Sequence, residues 1–336
     1  MFALPRVTRH SRIEAVQIFI VGSFVVACTV KVARLPRSGE SVDAAAFLSE
    51  PGGKGFNLAL ACHRLGAHVG GVFVIGDDAF SEIAVATFQQ VGLAQAMLVR
   101  RPGSTGAGVG FVDTVGENCL AVSLGVNGLM AAGDVEARFA DLDRGALVMA
   151  TFESPDAPIQ SAFARARARG TATLLNPSPM RAIDPRILAD TAILVVNRVE
   201  AEDLGLEDAL DADGRKSACI DALMGMGPDT IVITKGEAGA VLFRRGLPAC
   251  HQPAFRVPVV DTIGAGDAFT AGFGTAVLES RSIEDALRRA SACGALTTSR
   301  FGAFEAFPSG AELDRFLLTG DDRWNVRPSA DGPSDG

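Results

Sequence analysis

Apolar positions along the chain fall into short blocks whose spacing alternates between near-continuous and helical. Near-continuous runs at 17–21, 69–75, 146–151, 171–175, 192–196 and 230–234 predict strands buried on both faces, because a strand with one wet face would alternate with polar residues. Helical spacing fills the intervals. Helices are predicted over 80–91 with a stop at Gly92, over 157–169 with a stop at Gly170, and over 199–204, 218–226, 268–278 and 283–297. Leu58, Ala61, Cys62 and Leu65 recur at i, i+3, i+4 and i+7, and Gly66 ends that helix. Strands alternating with helices in this way predict a parallel sheet covered on both sides and joined by right-handed crossovers.

Two stretches lack helices. Residues 22–50 hold extended segments around turn signals at Pro36-Arg37-Ser38-Gly39 and Pro51-Gly52. Residues 95–125 read as strand, turn at Arg101-Pro102-Gly103, strand over 107–113, turn at Val115-Gly116, and strand over 118–124. With no helices to cover them, these strands are expected to form a small sheet standing off the main body. At the N-terminus, Arg6, Arg9 and Arg12 precede an apolar run over 18–30, a pattern slightly like a secretory signal. The run falls short of the about 20 apolar residues a membrane span needs. Gly22-Ser23 interrupts it and Lys31 ends it, so it is read as a strand entering a loop, with residues 1–15 as a loose leader. Residues 319–336 are polar and read as a disordered tail.

Composition narrows the function classes. The chain has 336 residues, 48% of them apolar, which excludes a disordered protein. Its 31 basic and 39 acidic residues leave a net charge of −8, which disfavours nucleic-acid binding, and no membrane association is expected. The cysteines at 28, 62, 119, 219, 250 and 293 form no C-x-x-C pair and suit free thiols in a reducing cytoplasm. Glycine is abundant, and its placement carries the chemistry.

Gly52-Gly53-Lys54-Gly55-Phe56-Asn57 opens a helix. Glycines at a helix start let the backbone approach a ligand, and Asn57 offers both a donor and an acceptor to a sugar hydroxyl. An ordinary glycine turn would have the same spacing. A phosphate loop of the Walker A type is excluded, because Leu48 stands where its first glycine belongs and Gly55 where Ser or Thr must follow the lysine. The second motif is Asp261-Thr262-Ile263-Gly264-Ala265-Gly266-Asp267, again running into a helix. Small residues before a helix can aim amides 264–267 at one anion, and Asp267 is either a helix cap or a general base. Phosphoryl transfer needs that pairing of base and fixed dipoles. A dinucleotide fingerprint fails at Phe269, which occupies its third glycine position.

Together these motifs resemble the two signatures of the ribokinase-like (PfkB) family of carbohydrate kinases. Glu153-Ser154-Pro155, Asn176-Pro177, Asn197-x-x-Glu200 and Thr234-Lys235-Gly236-x-x-Gly239 fall between them in the family's order. The resemblance covers residues 16–318 and implies a three-layer α/β/α fold with a mostly parallel sheet. A small β lid would be inserted at about 23–51 and 100–125. It implies that Asp267 deprotonates the acceptor, that Gly264, Ala265 and Gly266 stabilise the phosphoryl charge, and that Gly53, Lys54, Asn57 and Glu153 face the sugar. It further implies ATP at Asn197, Thr234, Gly236, Gly239 and Gly266, and Mg²⁺ at Asn197 and Glu200 through water. A monovalent cation, K⁺, would sit at Asp261, Ile263, Thr298, Phe301 and Ala303, and the lid suggests a homodimer.

One departure bears on the substrate. Ribokinases carry Asn-x-Asp after the first strand, and that Asp holds sugar hydroxyls. Val25 and Ala27 occupy the matching positions here and can accept no hydrogen bond. Ribose as acceptor is thereby put in doubt. Lys31 and Arg34, just beyond, are weighed as contacts for an acidic or phosphorylated acceptor against an ordinary solvated strand face. The expected activity is ATP-dependent phosphorylation of a sugar hydroxyl. The alternatives are a nucleoside kinase of the same fold, since apolar positions 25 and 27 suit a base, and a non-catalytic sugar- or nucleotide-binding regulator.

Overall fold

A computed structural model describes residues 16–114, 118–139, 142–206, 209 and 217–319. The leader at 1–15, the turn at Val115-Gly116 and the tail from 320 onward lie outside these residues. In chain order the elements are β1 (Val16–Gly22), β2 (Val25–Val32), β3 (Ala44–Gly52), α1 (Lys54–Arg64), β4 (Val69–Ile75), α2 (Ala79–Val91), β5 (Leu98–Arg100), β6 (Gly106–Val112), β7 (Asn118–Ser123), α3 (Ala132–Glu136), β8 (Leu142–Thr151) and α4 (Asp156–Ala168). They continue with β9 (Ala172–Asn176), α5 (Pro185–Ala189), β10 (Ile193–Asn197), α6 (Arg198–Asp203), α7 (Ala218–Gly225), β11 (Thr230–Thr234), β12 (Ala240–Arg244), β13 (Cys250–Gln252), α8 (Ala265–Leu278), α9 (Ile283–Thr298) and α10 (Gly310–Thr319).

A nine-stranded sheet runs in the order β13-β12-β11-β10-β9-β8-β1-β4-β5. Its strands from β11 to β5 pair in parallel, as the unbroken apolar runs require. Side chains alternate across it: Ile18 and Ile20 pack on one side with Phe56, Phe273 and Leu287, while Phe19 and Val21 pack on the other with Phe163, Ile187 and Ile220. Helices α1, α8 and α9 thus cover one face, and α4, α5 and α7 the other. Among the described residues no helix is long and apolar enough to cross a membrane.

The second sheet has the order β3-β2-β6-β7. It is the small lid expected from the helix-free stretches, with an antiparallel hairpin at each end and a parallel β2–β6 pair in the middle. One expectation fails here. The first strand of the 95–125 stretch, β5, does not join the lid but pairs with β4 in the main sheet, Phe73 opposite Leu98. Three residues suffice, because β5 is an edge strand with one neighbour. Strands β12 and β13 add an antiparallel edge that the sequence did not reveal, since glycine-rich turns interrupt a short apolar run there.

Candidate active site

The site forms at the carboxyl ends of the parallel strands, where β1, β8, β10 and β11 deliver Gly22, Thr151, Asn197 and Thr234. Helix α1 starts against the end of β1. A Cβ on Gly55 would stand 2.2 Å from Gly22 Cα and 2.3 Å from Ser23 N, so only glycine allows this contact. Gly53, at φ 95°, turns the chain into α1, and Phe56 N donates to Ser23 O at 2.9 Å. Glu153, two residues beyond β8, locks the junction: its Oε2 accepts from Lys54 N at 2.7 Å and from Ser23 Oγ. Burial pushes the Glu153 carboxyl above its ordinary range, while the bonds to Ser23 and Lys54 pull the other way.

Helix α8 brings the second motif to the same place. Gly264 caps it at φ 77°, pressed so close to the 303–307 segment that an added Cβ would lie 3.0 Å from that of Ala303. Ala265 N makes a long bond to Thr262 O, 3.3 Å, and Ala268 N bonds Gly264 O at 2.9 Å. Among the described residues the amides of Gly266 and Asp267 find no acceptor, which leaves donors free at a helix start. The Asp267 carboxylate does not cap its own helix. Its Oδ2 accepts from Asn57 Nδ2 at 2.8 Å, linking residues 210 positions apart. Asn57 Oδ1 is buried without a donor.

Asp267 is 6% exposed, and burial raises its pKa against the opposing pull of Lys54 and Asn57. Lys54 is raised by the charge of Asp267 first, then by Glu153 and Glu200, against its own burial. Two carboxylates held near one ammonium in a closed site keep a base poised and uncompensated charge small. Gly53, Lys54, Asn57, Glu153 and Asp267 are therefore brought together.

A cleft opens on the other side of Asp267. A cavity of about 620 Å³ is lined by Lys54, Asn197, Thr234, Gly236, Gly264, Gly266 and Asp267. A second, of about 950 Å³, shares Thr234, Gly236 and Gly266 and adds Gly239, Phe255, Val257 and Ser291. All five positions expected to face ATP lie on these walls. Glu200 does not line them. It is buried in a reciprocal cap with Asn197, whose N donates to Glu200 Oε2 and whose Oδ1 accepts from Glu200 N, each at 2.9 Å.

Around Asp261 two loops are tied together by hydrogen bonds. Its carboxylate accepts from Ile263 N and Gly302 N, each at 3.0 Å, and Thr298 O accepts from Val260 N at 2.8 Å and Asp261 N at 3.2 Å. Phe301 turns its ring toward Lys31, whose Nζ stands 5.0 Å from the centroid. Arg34 forms a two-pronged pair with Glu40 within the lid. Arg34 is thus already paired with a carboxylate, whereas Lys31 meets only an aromatic face.

Two contributors escaped the motif search. Ser23 carries the link to Glu153, and its place in Gly22-Ser23 was the only signal. Asn127, fully buried, holds Phe24 from both sides, accepting from Phe24 N at 3.0 Å and donating to Phe24 O at 2.8 Å. It clamps the step from β1 into the lid from 103 residues away, and no local pattern marks it.

The chain belongs to the pfkB family of carbohydrate kinases, which it matches over residues 16–309. It is 29% identical over 304 residues to a deoxyribokinase of Salmonella typhimurium, covering 89% of this chain and 98% of that one. A ribokinase of Mus musculus is 29% identical over 311 residues, covering 91% and 96%. Among solved structures, ribokinase of Arabidopsis thaliana in complex with ribose and ATP superposes with a TM-score of 0.79 at 26% identity, covering 90% of this chain and 98% of its own. A nucleoside kinase of Methanocaldococcus jannaschii, at 17% identity and TM-score 0.73 over 91% of this chain and 99% of its own, shares the fold. As a member of that family, the chain is a carbohydrate kinase, a phosphotransferase with an alcohol group as acceptor.

Proposed function

We propose that the protein transfers the γ-phosphoryl group of ATP to a hydroxymethyl group of a sugar. One observation carries the proposal: a buried carboxylate, Asp267, bonded to Asn57 and under the charge of Lys54, stands in the first turn of a helix where, among the described residues, the amides of Gly266 and Asp267 are unpaired. Asp267 takes the proton of the acceptor hydroxyl as its oxygen attacks phosphorus, and the amides of Gly264, Ala265 and Gly266 stabilise the charge on the migrating group. The hydroxyl is itself the nucleophile, so no covalent enzyme intermediate forms. Lys54 offsets charge on the transferred phosphoryl. Gly53, Asn57 and Glu153 hold the sugar side, and Thr234, Gly236 and Gly239 the nucleotide side.

Mg²⁺ fits beside Asn197 and Glu200, because their mutual cap leaves the second Glu200 oxygen uncommitted and suits contact through water. When bound, it would neutralise charge on the phosphates. K⁺ is proposed at Asp261, Ile263, Thr298, Phe301 and Ala303, a set rich in oxygen donors. Unchanged activity after replacing K⁺ with a bulky organic cation would remove it. A homodimer through the lid is supported by exposed Phe47 on β3 and Leu120 on β7. The absence of cysteine pairing suits a cytoplasmic location.

Release of ADP, measured across pentoses, hexoses, sugar acids and nucleosides, tests the proposal. Turnover with nucleosides alone would favour the nucleoside reading, for which apolar Val25 and Ala27 speak. Ligand binding without ADP release from any acceptor would mark a non-catalytic regulator.

A further inference from the structure

The lid carries a carboxylate beside two positions that bear none, Val25 and Ala27. Ala27 on β2 stands directly opposite Glu50 on β3, and beside Gly108 on β6. Directly paired residues project from the same face of a sheet, so Glu50 shares the face of Ala27, Val25 and Lys31. That face looks toward the body. Lys31 lies over the Phe301 ring, and the Glu50 carboxylate oxygens lie 3.3 and 3.4 Å from where a Cβ on Gly302 would stand. Gly302 N is bonded to Asp261, and the following Ala303 abuts Gly264, the cap of the helix that carries Asp267.

Around Glu50 the positions on this face are Val25, Ala27, Thr29, Leu48, Gly52 and Gly108, of which only Thr29 has a polar side chain, and it makes no hydrogen bond to Glu50 among the described residues. Glu50 is half-buried, and among the described residues no cation or hydrogen-bond donor meets its carboxylate. Burial, with Glu305 and Asp261 nearby, raises its pKa, the mark of a carboxylate without compensation. A few residues along, Asn57 Oδ1 is also buried without a donor, while Asn57 Nδ2 is bonded to Asp267. Two acceptors on the segment 50–57, one half-buried and one fully buried, thus have no donor among the described residues.

We propose that Glu50 is the residue by which the lid reads the acceptor. It accepts hydrogen bonds from hydroxyl or amino groups at the lid end of the substrate and rejects acceptors that carry negative charge there. The proposal rests on the sugar-kinase reading above. Ala27 leaves room for the longer glutamate arm to reach across from the neighbouring strand.

The test compares wild type with Glu50→Gln, Glu50→Ala and the double variant Glu50→Ala with Ala27→Asp. Each is assayed by ADP release and by calorimetric binding without nucleotide, on neutral sugars, amino sugars and the matching sugar acids. Wild type is expected to prefer neutral or amino sugars. Glu50→Ala should lower kcat/KM about ten- to a hundredfold, mostly through KM. Glu50→Gln should narrow the gap between sugar and sugar acid, and Ala27→Asp should recover part of the loss. If Glu50→Ala does not fold, Glu50→Gln decides, since it alters charge and not volume. Single variants within about twofold of wild type, a wild-type preference for sugar acids, or no recovery from Ala27→Asp each overturn the role of Glu50 alone. Wild type that neither binds nor turns over any sugar overturns the sugar-kinase reading beneath it.

Discussion

Replacing Asp267 with asparagine is the most direct test of the chemistry. The change is isosteric, and its side-chain oxygen can still accept from Asn57 Nδ2, now at 2.8 Å from Oδ2. What disappears is the negative charge and the basic site. A positioned general base contributes about 10²- to 10⁴-fold, or about 3–5 kcal/mol of barrier, so turnover is expected to fall by that factor. Stability should change little, because two consequences oppose each other. Burial disfavours the Asp267 charge, so removing it relieves a penalty. Lys54 loses the largest charge that supports its own ionisation, although Glu153 and Glu200 remain. Coupled ADP release gives the rate, calorimetry with ATP gives nucleotide binding, and denaturant unfolding reports the fold. Turnover within tenfold of wild type, with the fold intact, would refute Asp267 as the base.

Further outcomes can be checked independently. Burial raises Asp267, so the acid limb of kcat/KM should lie above the ordinary aspartate range. The stability that this carboxyl contributes is fully present below its unfolded pKa and lost as pH rises through the folded one, so Asp267→Asn should flatten the unfolding profile across that window. Asn127→Ala strands both polar groups of Phe24 in a dry site, and a loss of about 2–4 kcal/mol in denaturant unfolding is expected, with KM rising more than kcat falls. Gly55→Ala would force a methyl to 2.2 Å from Gly22 Cα, where carbon contacts need about 3.5 Å, so activity should be nearly abolished in a steady-state assay. Arg34→Ala removes only an exposed pair with Glu40, so denaturant unfolding should show no resolvable loss of stability and KM should be unchanged.

What the sequence makes legible is local. Residues 52–57 and 261–267 announce glycine-led helix starts because the demand on each backbone lies within a few neighbours. The apolar runs of β1, β4, β8, β10 and β11 announce burial on both faces for the same reason, and their placement agrees with the structure. Tertiary structure decided whatever depends on which distant segment arrives alongside. Whether Asp267 caps its own helix was open in the sequence, and its carboxylate instead bonds Asn57 across 210 positions. Strand β5 reads as one more lid strand until β4 takes it into the main sheet. Asn127 and Glu50 carry no motif: a turn brings Asn127 against Phe24, and strand register sets Glu50 opposite Ala27. Spacing along a chain encodes the period of an element and the freedom of a glycine. It does not encode the pairing of strands or the meeting of loops, which follow from packing all the elements at once.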